Sequence, residues 1–135
     1  MSLESAAAHR ALLIEDYDEL RFVYERLLGR LGFEVHAFAH PVEALTQFAK
    51  GLPPPDLIVT DWSLPGMTGT TLIESLKEKG LPESTALLVI SAATPPEEEL
   101  QGATFLMKPF DIARFDAAVR RARGGSGDQR PLTAE

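Results

Sequence analysis

Four places in this chain put a side chain suited to phosphate or metal chemistry at the end of a short apolar run. Glu15 and Asp16 follow Ala11 to Ile14, Asp61 follows Leu57 to Thr60, Ser91 follows Ala86 to Ile90, and Lys108 follows Phe105 to Met107. The set holds three carboxylates, one hydroxyl and one ammonium. Carboxylates crowded into one site repel and take up protons unless a hard cation sits among them, so the group implies a divalent metal. Magnesium suits it, because it uses a few oxygens and keeps its other positions for water and phosphate. A lysine on the far side adds a second positive charge, and a serine hydroxyl could bond an oxygen of a phosphoryl group in transfer.

Those residues act together only if the intervening elements bring them to one edge. Ala11 to Glu15 reads as a buried strand. The helix after it has Asp18 as its cap and Leu20, Val23, Tyr24, Leu27, Leu28 and Leu31 on one face, and Gly32 ends it in a left-handed conformation. Phe33 to Phe38 is a second strand. Pro41 opens a helix with Leu45, Phe48 and Ala49 inward, which Gly51 and Pro53 to Pro55 stop. Leu57, Ile58 and Val59 have the continuous apolar character of a strand buried on both faces, with Asp61 at its carboxyl end. Pro65, Gly66 and Gly69 then force a sharp turn before a helix from Thr70 to Lys79 with Leu72, Ile73 and Leu76 inward.

Ala86 to Ile90 forms the fourth strand, ending at Ser91. From Ala92 to Gly102 there is room for a turn or two of helix, interrupted by Pro95-Pro96 and crowded by Glu97, Glu98 and Glu99, so the fourth helix is expected to be short or missing. Phe105 to Met107 is the fifth strand, and Ile112, Phe115, Val119 and Ala122 mark the last helix. Strands alternating with helices over short connections predict an α/β fold, a flavodoxin-like doubly wound parallel sheet of five strands in the order 2-1-3-4-5. In such sheets ligands bind beyond the carboxyl ends of the strands, where Glu15, Asp16, Asp61, Ser91 and Lys108 would meet.

A chain of 135 residues is one domain by length and buries roughly two-thirds of its unfolded surface on folding. The domain is expected over 8–123, with 124–135 a polar, glycine-rich flexible tail or the start of a linker. Zero cysteines exclude disulfides and thiol nucleophiles. No apolar run approaches membrane-spanning length and no export signal opens the chain, so the cytoplasm is the expected compartment. A formal net charge of −7 argues against direct nucleic-acid binding. Arg120, Arg121 and Arg123 form the one basic cluster and read as a solvated helix end. His9, His36 and His40 share no metal spacing and read as surface or capping residues.

Taken with their spacing, these motifs make the chain resemble a response-regulator receiver domain from about Arg10 to Arg123. The family's acidic pair matches Glu15-Asp16, and its phosphoacceptor aspartate matches Asp61, followed by the turn Leu64-Pro65-Gly66-Met67-Thr68-Gly69. The resemblance implies that Ser91 is the family's serine or threonine after strand four, Phe105 its aromatic switch and Lys108-Pro109 its lysine-proline pair, joined by a cis bond. It implies magnesium bound by Asp16, Asp61, the Ser63 carbonyl and, through water, Glu15. It further implies that a phosphohistidine on a sensor histidine kinase or phosphotransfer protein donates to Asp61, and that Ser91, Lys108 and Phe105 then reshape the surface offered to an output protein. Such a domain is a signalling phosphoacceptor, not a turnover enzyme. Two rivals are weaker. A haloacid-dehalogenase-like phosphatase needs an acid two residues after the nucleophile, where this chain has Ser63. A phosphorylation-independent interaction module has no need of the acidic pair, acceptor, hydroxyl and lysine together.

Overall fold

The computed structural model describes residues 9–100 and 102–126. In chain order the elements are β1 (His9–Ile14), α1 (Asp18–Arg30), β2 (Phe33–Phe38), α2 (Pro41–Ala49), β3 (Leu57–Asp61), β4 (Ser63–Leu64), β5 (Met67–Thr68), α3 (Gly69–Glu78), β6 (Ala86–Ser91), α4 (Glu97–Leu100), β7 (Thr104–Met107) and α5 (Ile112–Ser126). Five strands form one parallel sheet in the order β2-β1-β3-β6-β7, the doubly wound arrangement the alternation predicts. β4 and β5 make a separate antiparallel hairpin, turning at Gly66, which takes a φ of 84°.

The period-two alternation of a strand sorts its side chains between two cores. On one side Leu13, Val59, Leu88 and Leu106 pack with Tyr24 and Leu28 of α1 and Phe115, Ala118 and Val119 of α5. On the other, Leu12, Ile14, Ile58 and Val89 pack with Ala44 and Phe48 of α2 and Leu72, Ile73 and Leu76 of α3. Helices on both faces leave the carboxyl edge of the sheet open. The ladder continues there one residue past the central strands: Glu15 donates to the Phe38 carbonyl at 3.1 Å, Trp62 to Ile90 at 2.8 Å and Lys108 to Ser91 at 2.8 Å. The polar residues at that edge therefore sit on backbone already fixed by the sheet.

α4 is a single turn of four residues, as the two prolines and three glutamates predict. Gly32 is left-handed at φ 97° and ends α1 as expected. Several finer expectations differ. Asp18 is the first residue inside α1 and not its cap; Tyr17 holds the cap position without a side-chain bond, and the Asp18 carboxylate instead pairs with Arg21. In α2 the inward residues are Pro41, Ala44 and Phe48, while Ala49 is exposed, because a helix starting at Pro41 sets its buried stripe in steps of three and four from that residue. Val23 and Ile112 are also exposed, lying beside a groove and not in the core. His9 and Arg123 are buried: the His9 ring lies 5.8 Å from the Phe33 ring and the Arg123 guanidinium 5.6 Å from it. α5 runs on to Ser126, so Gly124 to Ser126 are helical, and 127–135, the rest of the expected tail, lie outside the described residues. No helix among the described residues is long and apolar enough to cross a membrane.

Candidate functional site at the carboxyl edge of the sheet

Glu15, Asp16, Asp61, Ser63, Ser91 and Lys108 line one cavity of about 530 Å³ at the carboxyl edge, together with Tyr17, Leu20, Trp62, Ala92 and Ala93. Lys108 links two of its acids. Its Nζ donates to Asp61 Oδ2 at 2.9 Å and stands 3.8 Å from Glu15 Oε1. The other Asp61 oxygen, Oδ1, accepts the Ser63 backbone N–H at 3.3 Å. Asp61 and Glu15 are both buried, whereas Asp16 is exposed at the rim.

Carboxylate oxygens of Glu15, Asp16 and Asp61 lie within 4.8 Å of one another. That spacing suits one small cation bound by oxygen. A second observation fits it: Glu15 Oε1 is buried with no hydrogen-bond partner among the described residues, although Oε2 accepts the Tyr17 N–H at 3.0 Å. Burial pushes the Glu15 carboxyl up from its ordinary 4.5 to about 7; the Tyr17 amide and Lys108 pull it back, and the nearby Asp61 charge pushes it further up. One ammonium thus leaves the acids incompletely compensated, and a divalent cation would complete the balance. Burial, with the Glu15 and Asp61 charges adding to it, also pushes up the Tyr24 phenol.

Ser91 reaches the cavity with its hydroxyl engaged elsewhere. It donates to the Ala93 carbonyl at 2.6 Å and accepts the Ala93 N–H at 3.1 Å. Phe105 lies outside the cavity, partly buried on β7, and its carbonyl accepts Arg121 Nη2 at 3.5 Å. The Lys108–Pro109 bond is cis.

Two positioning features escape a reading of residue types alone. Gly69 lies so close to Asp61 that a Cβ there would collide with the Asp61 carbonyl oxygen, and its N–H donates to the Trp62 carbonyl at 2.6 Å. A glycine among turn residues hinted at a close approach without saying to what. Thr68 caps α3 by accepting the Thr71 N–H at 3.1 Å, so the loop after Asp61 passes straight into an anchored helix. Beside the cavity runs an apolar groove of about 770 Å³ between α1 and the start of α5. It shares Leu20 and Lys108 with the cavity and adds Val23, Leu27, Phe110 and Ile112.

Comparison with known proteins agrees with this arrangement. The family pattern described as response regulator receiver domain matches residues 11–120. The chain belongs to that family. The receiver is 29% identical over 120 residues to the phosphate regulon transcriptional regulatory protein PhoB of Rhizobium meliloti, covering 82% of this chain and 52% of that protein. It is 29% identical over 110 residues to the chemotaxis protein CheY-3 of Vibrio cholerae, covering 77% of this chain and 83% of that one. Among solved structures, CheY4 of Vibrio cholerae superposes with a TM-score of 0.76 at 28% identity, covering 85% of this chain and 98% of that one. The receiver thus spans about half the length of PhoB and most of the length of CheY-3. As a receiver, it is part of two-component signalling.

Proposed function

We propose that this receiver takes a phosphoryl group onto Asp61 from a phosphohistidine of a sensor histidine kinase or phosphotransfer protein. The observation that carries the reading is Lys108 Nζ at 2.9 Å from Asp61 Oδ2, inside a group of three carboxylates that one ammonium does not balance. Asp16, Asp61 and the Ser63 carbonyl would hold a magnesium ion, with Glu15 acting through water. When bound, the cation supplies positive charge next to the phosphoryl oxygens.

The chain's own residues do the rest. An Asp61 carboxylate oxygen bonds to phosphorus as the bond from phosphorus to the histidine nitrogen breaks, giving an acyl phosphate and a free imidazole. Lys108 stays beside Asp61 and neutralises an oxygen of the transferred group. The Ser91 hydroxyl leaves the Ala93 carbonyl and donates to another phosphoryl oxygen. Ala93 begins the loop that leads to α4, so giving up its two bonds to Ser91 loosens that loop, and Phe105 on the neighbouring strand turns as the surface around β6 and β7 changes. An output protein reads the changed surface. The apolar groove that shares Leu20 and Lys108 with the cavity offers a donor protein a surface to dock on beside Asp61.

The test is the chemistry of the bond. Radiolabelled acetyl phosphate should label the wild type and Ser91→Ala through a linkage that hydroxylamine cleaves, and should leave Asp61→Asn unlabelled. Label that survives hydroxylamine, or that persists in Asp61→Asn, contradicts the assignment.

A further inference from the structure

The loop that carries Glu15 and Asp16 is fastened by one residue of α1. Arg21 Nη1 donates to the Glu15 carbonyl at 2.9 Å, its Nη2 donates to Asp18 Oδ1 at 2.7 Å, and its backbone N–H donates to the Tyr17 carbonyl at 2.9 Å. The Tyr17 N–H in turn holds Glu15 Oε2 at 3.0 Å. These bonds close a ring over residues 15–18, from which Glu15, Asp16 and Tyr17 line the cavity. A guanidinium is a planar fork that holds two acceptors at a fixed spacing, which a lysine ammonium on its flexible stem does not do.

We propose that Arg21 is a positioning residue for the acidic pair: it sets the backbone of the 15–18 loop so that the Glu15 and Asp16 carboxylates converge on Asp61. The inference rests on the cation site proposed above, and the sign of the effect separates it from a role through charge alone. A positive charge held at the Glu15 carbonyl repels a divalent cation bound by the acidic pair, so if Arg21 acted only through charge its removal would tighten magnesium binding. If Arg21 positions the loop, its removal weakens binding, since loss of groups that orient metal ligands typically costs about 10–100-fold in affinity.

The experiment is a calorimetric titration of the full chain with magnesium, checked by the fluorescence of Trp62, which is the chain's single tryptophan and lines the cavity. Wild type is compared with Arg21→Met, Arg21→Lys and Arg30→Met. Arg30 is also on α1 and holds Asp116 of α5 at 2.6 Å, away from the cavity, so it controls for general loosening of the helix. The expected result is a loss of about tenfold or more in Arg21→Met, a smaller loss in Arg21→Lys, and Arg30→Met within about twofold of wild type. Circular dichroism verifies folding; if Arg21→Met does not fold, Arg21→Lys decides, because it keeps the charge and the helix propensity. Unchanged or tighter binding in Arg21→Met, full affinity in Arg21→Lys, or an equal loss in Arg30→Met overturns the inference while leaving the cation site standing. A wild type that binds no magnesium overturns both.

Discussion

Replacing Glu15 with glutamine should stabilise the metal-free protein at neutral and higher pH, and the reason is visible in the site. Glu15 is almost completely buried, one of its oxygens has no hydrogen-bond partner among the described residues, and burial pushes its carboxyl up from 4.5 to about 7. Between those values the folded protein keeps a proton that the unfolded chain has released. Stability therefore falls as pH rises through that window, and the loss is complete above the folded value. At about 1.4 kcal/mol per pH unit the interval is worth about 3 kcal/mol. Glutamine fills the same volume, keeps an oxygen for the Tyr17 N–H, and carries no charge at any pH. Urea denaturation in chelator, from about pH 5 to about pH 8, should show the stability gap between Glu15→Gln and wild type growing by about 2–3 kcal/mol in favour of the variant. Magnesium at the upper pH should restore the wild type in proportion to its concentration, because it binds the folded state alone. Parallel pH profiles for the two proteins, or a variant less stable than wild type at pH 8, would refute the charge balance argued for the site.

Lys108→Ala leaves the buried Asp61 without its ammonium and should cost the metal-free protein about 1–3 kcal/mol in urea denaturation, while tightening magnesium binding by calorimetry because a competing cation is gone. Gly69→Ala places a methyl group against the Asp61 carbonyl and should lower stability by about 1–3 kcal/mol, with slower labelling by acetyl phosphate as the acceptor loop shifts. An alanine variant with wild-type midpoint and labelling rate would show that the loop yields freely. Phe115→Ala removes a fully buried ring that stacks 6.3 Å from Tyr24 and 5.9 Å from Phe110, and should cost about 3–5 kcal/mol in the same denaturation assay.

β1, β3 and β6 are legible in the sequence because each is a buried apolar run stopped by polar residues, as at Val59-Thr60-Asp61 or Ile90-Ser91. Burial on both faces leaves no alternation to misread, and the stop falls where the sheet ends. The short α4 is legible for a covalent reason, since Pro95-Pro96 and Gly102 leave no room for more than a turn. Other features depend on tertiary neighbours. His9 and Arg123 read as surface residues by type, yet they are buried beside Phe33, which lies far from both in sequence. Asp18 had the type and place of a cap, but Arg21 one turn later supplied a stronger partner. Arg21 itself carries no distinguishing signal, because its bond to the Glu15 carbonyl depends on the path of a loop and not on any side-chain pattern. The β4–β5 hairpin was legible only as a turn, since two-residue strands are too short to show a period.

In the function proposed for this receiver, Asp61, set among Glu15, Asp16 and Lys108, accepts a phosphoryl group with the help of a divalent cation. Intact-mass measurement after incubation with acetyl phosphate, with and without magnesium, on wild type and Asp61→Asn tests it most directly. A single phosphoryl adduct is expected on the wild type in magnesium, none in chelator, and none on Asp61→Asn under either condition. An adduct that forms equally well without the cation, or that remains on Asp61→Asn, or a folded wild type that acquires none in magnesium, would contradict it.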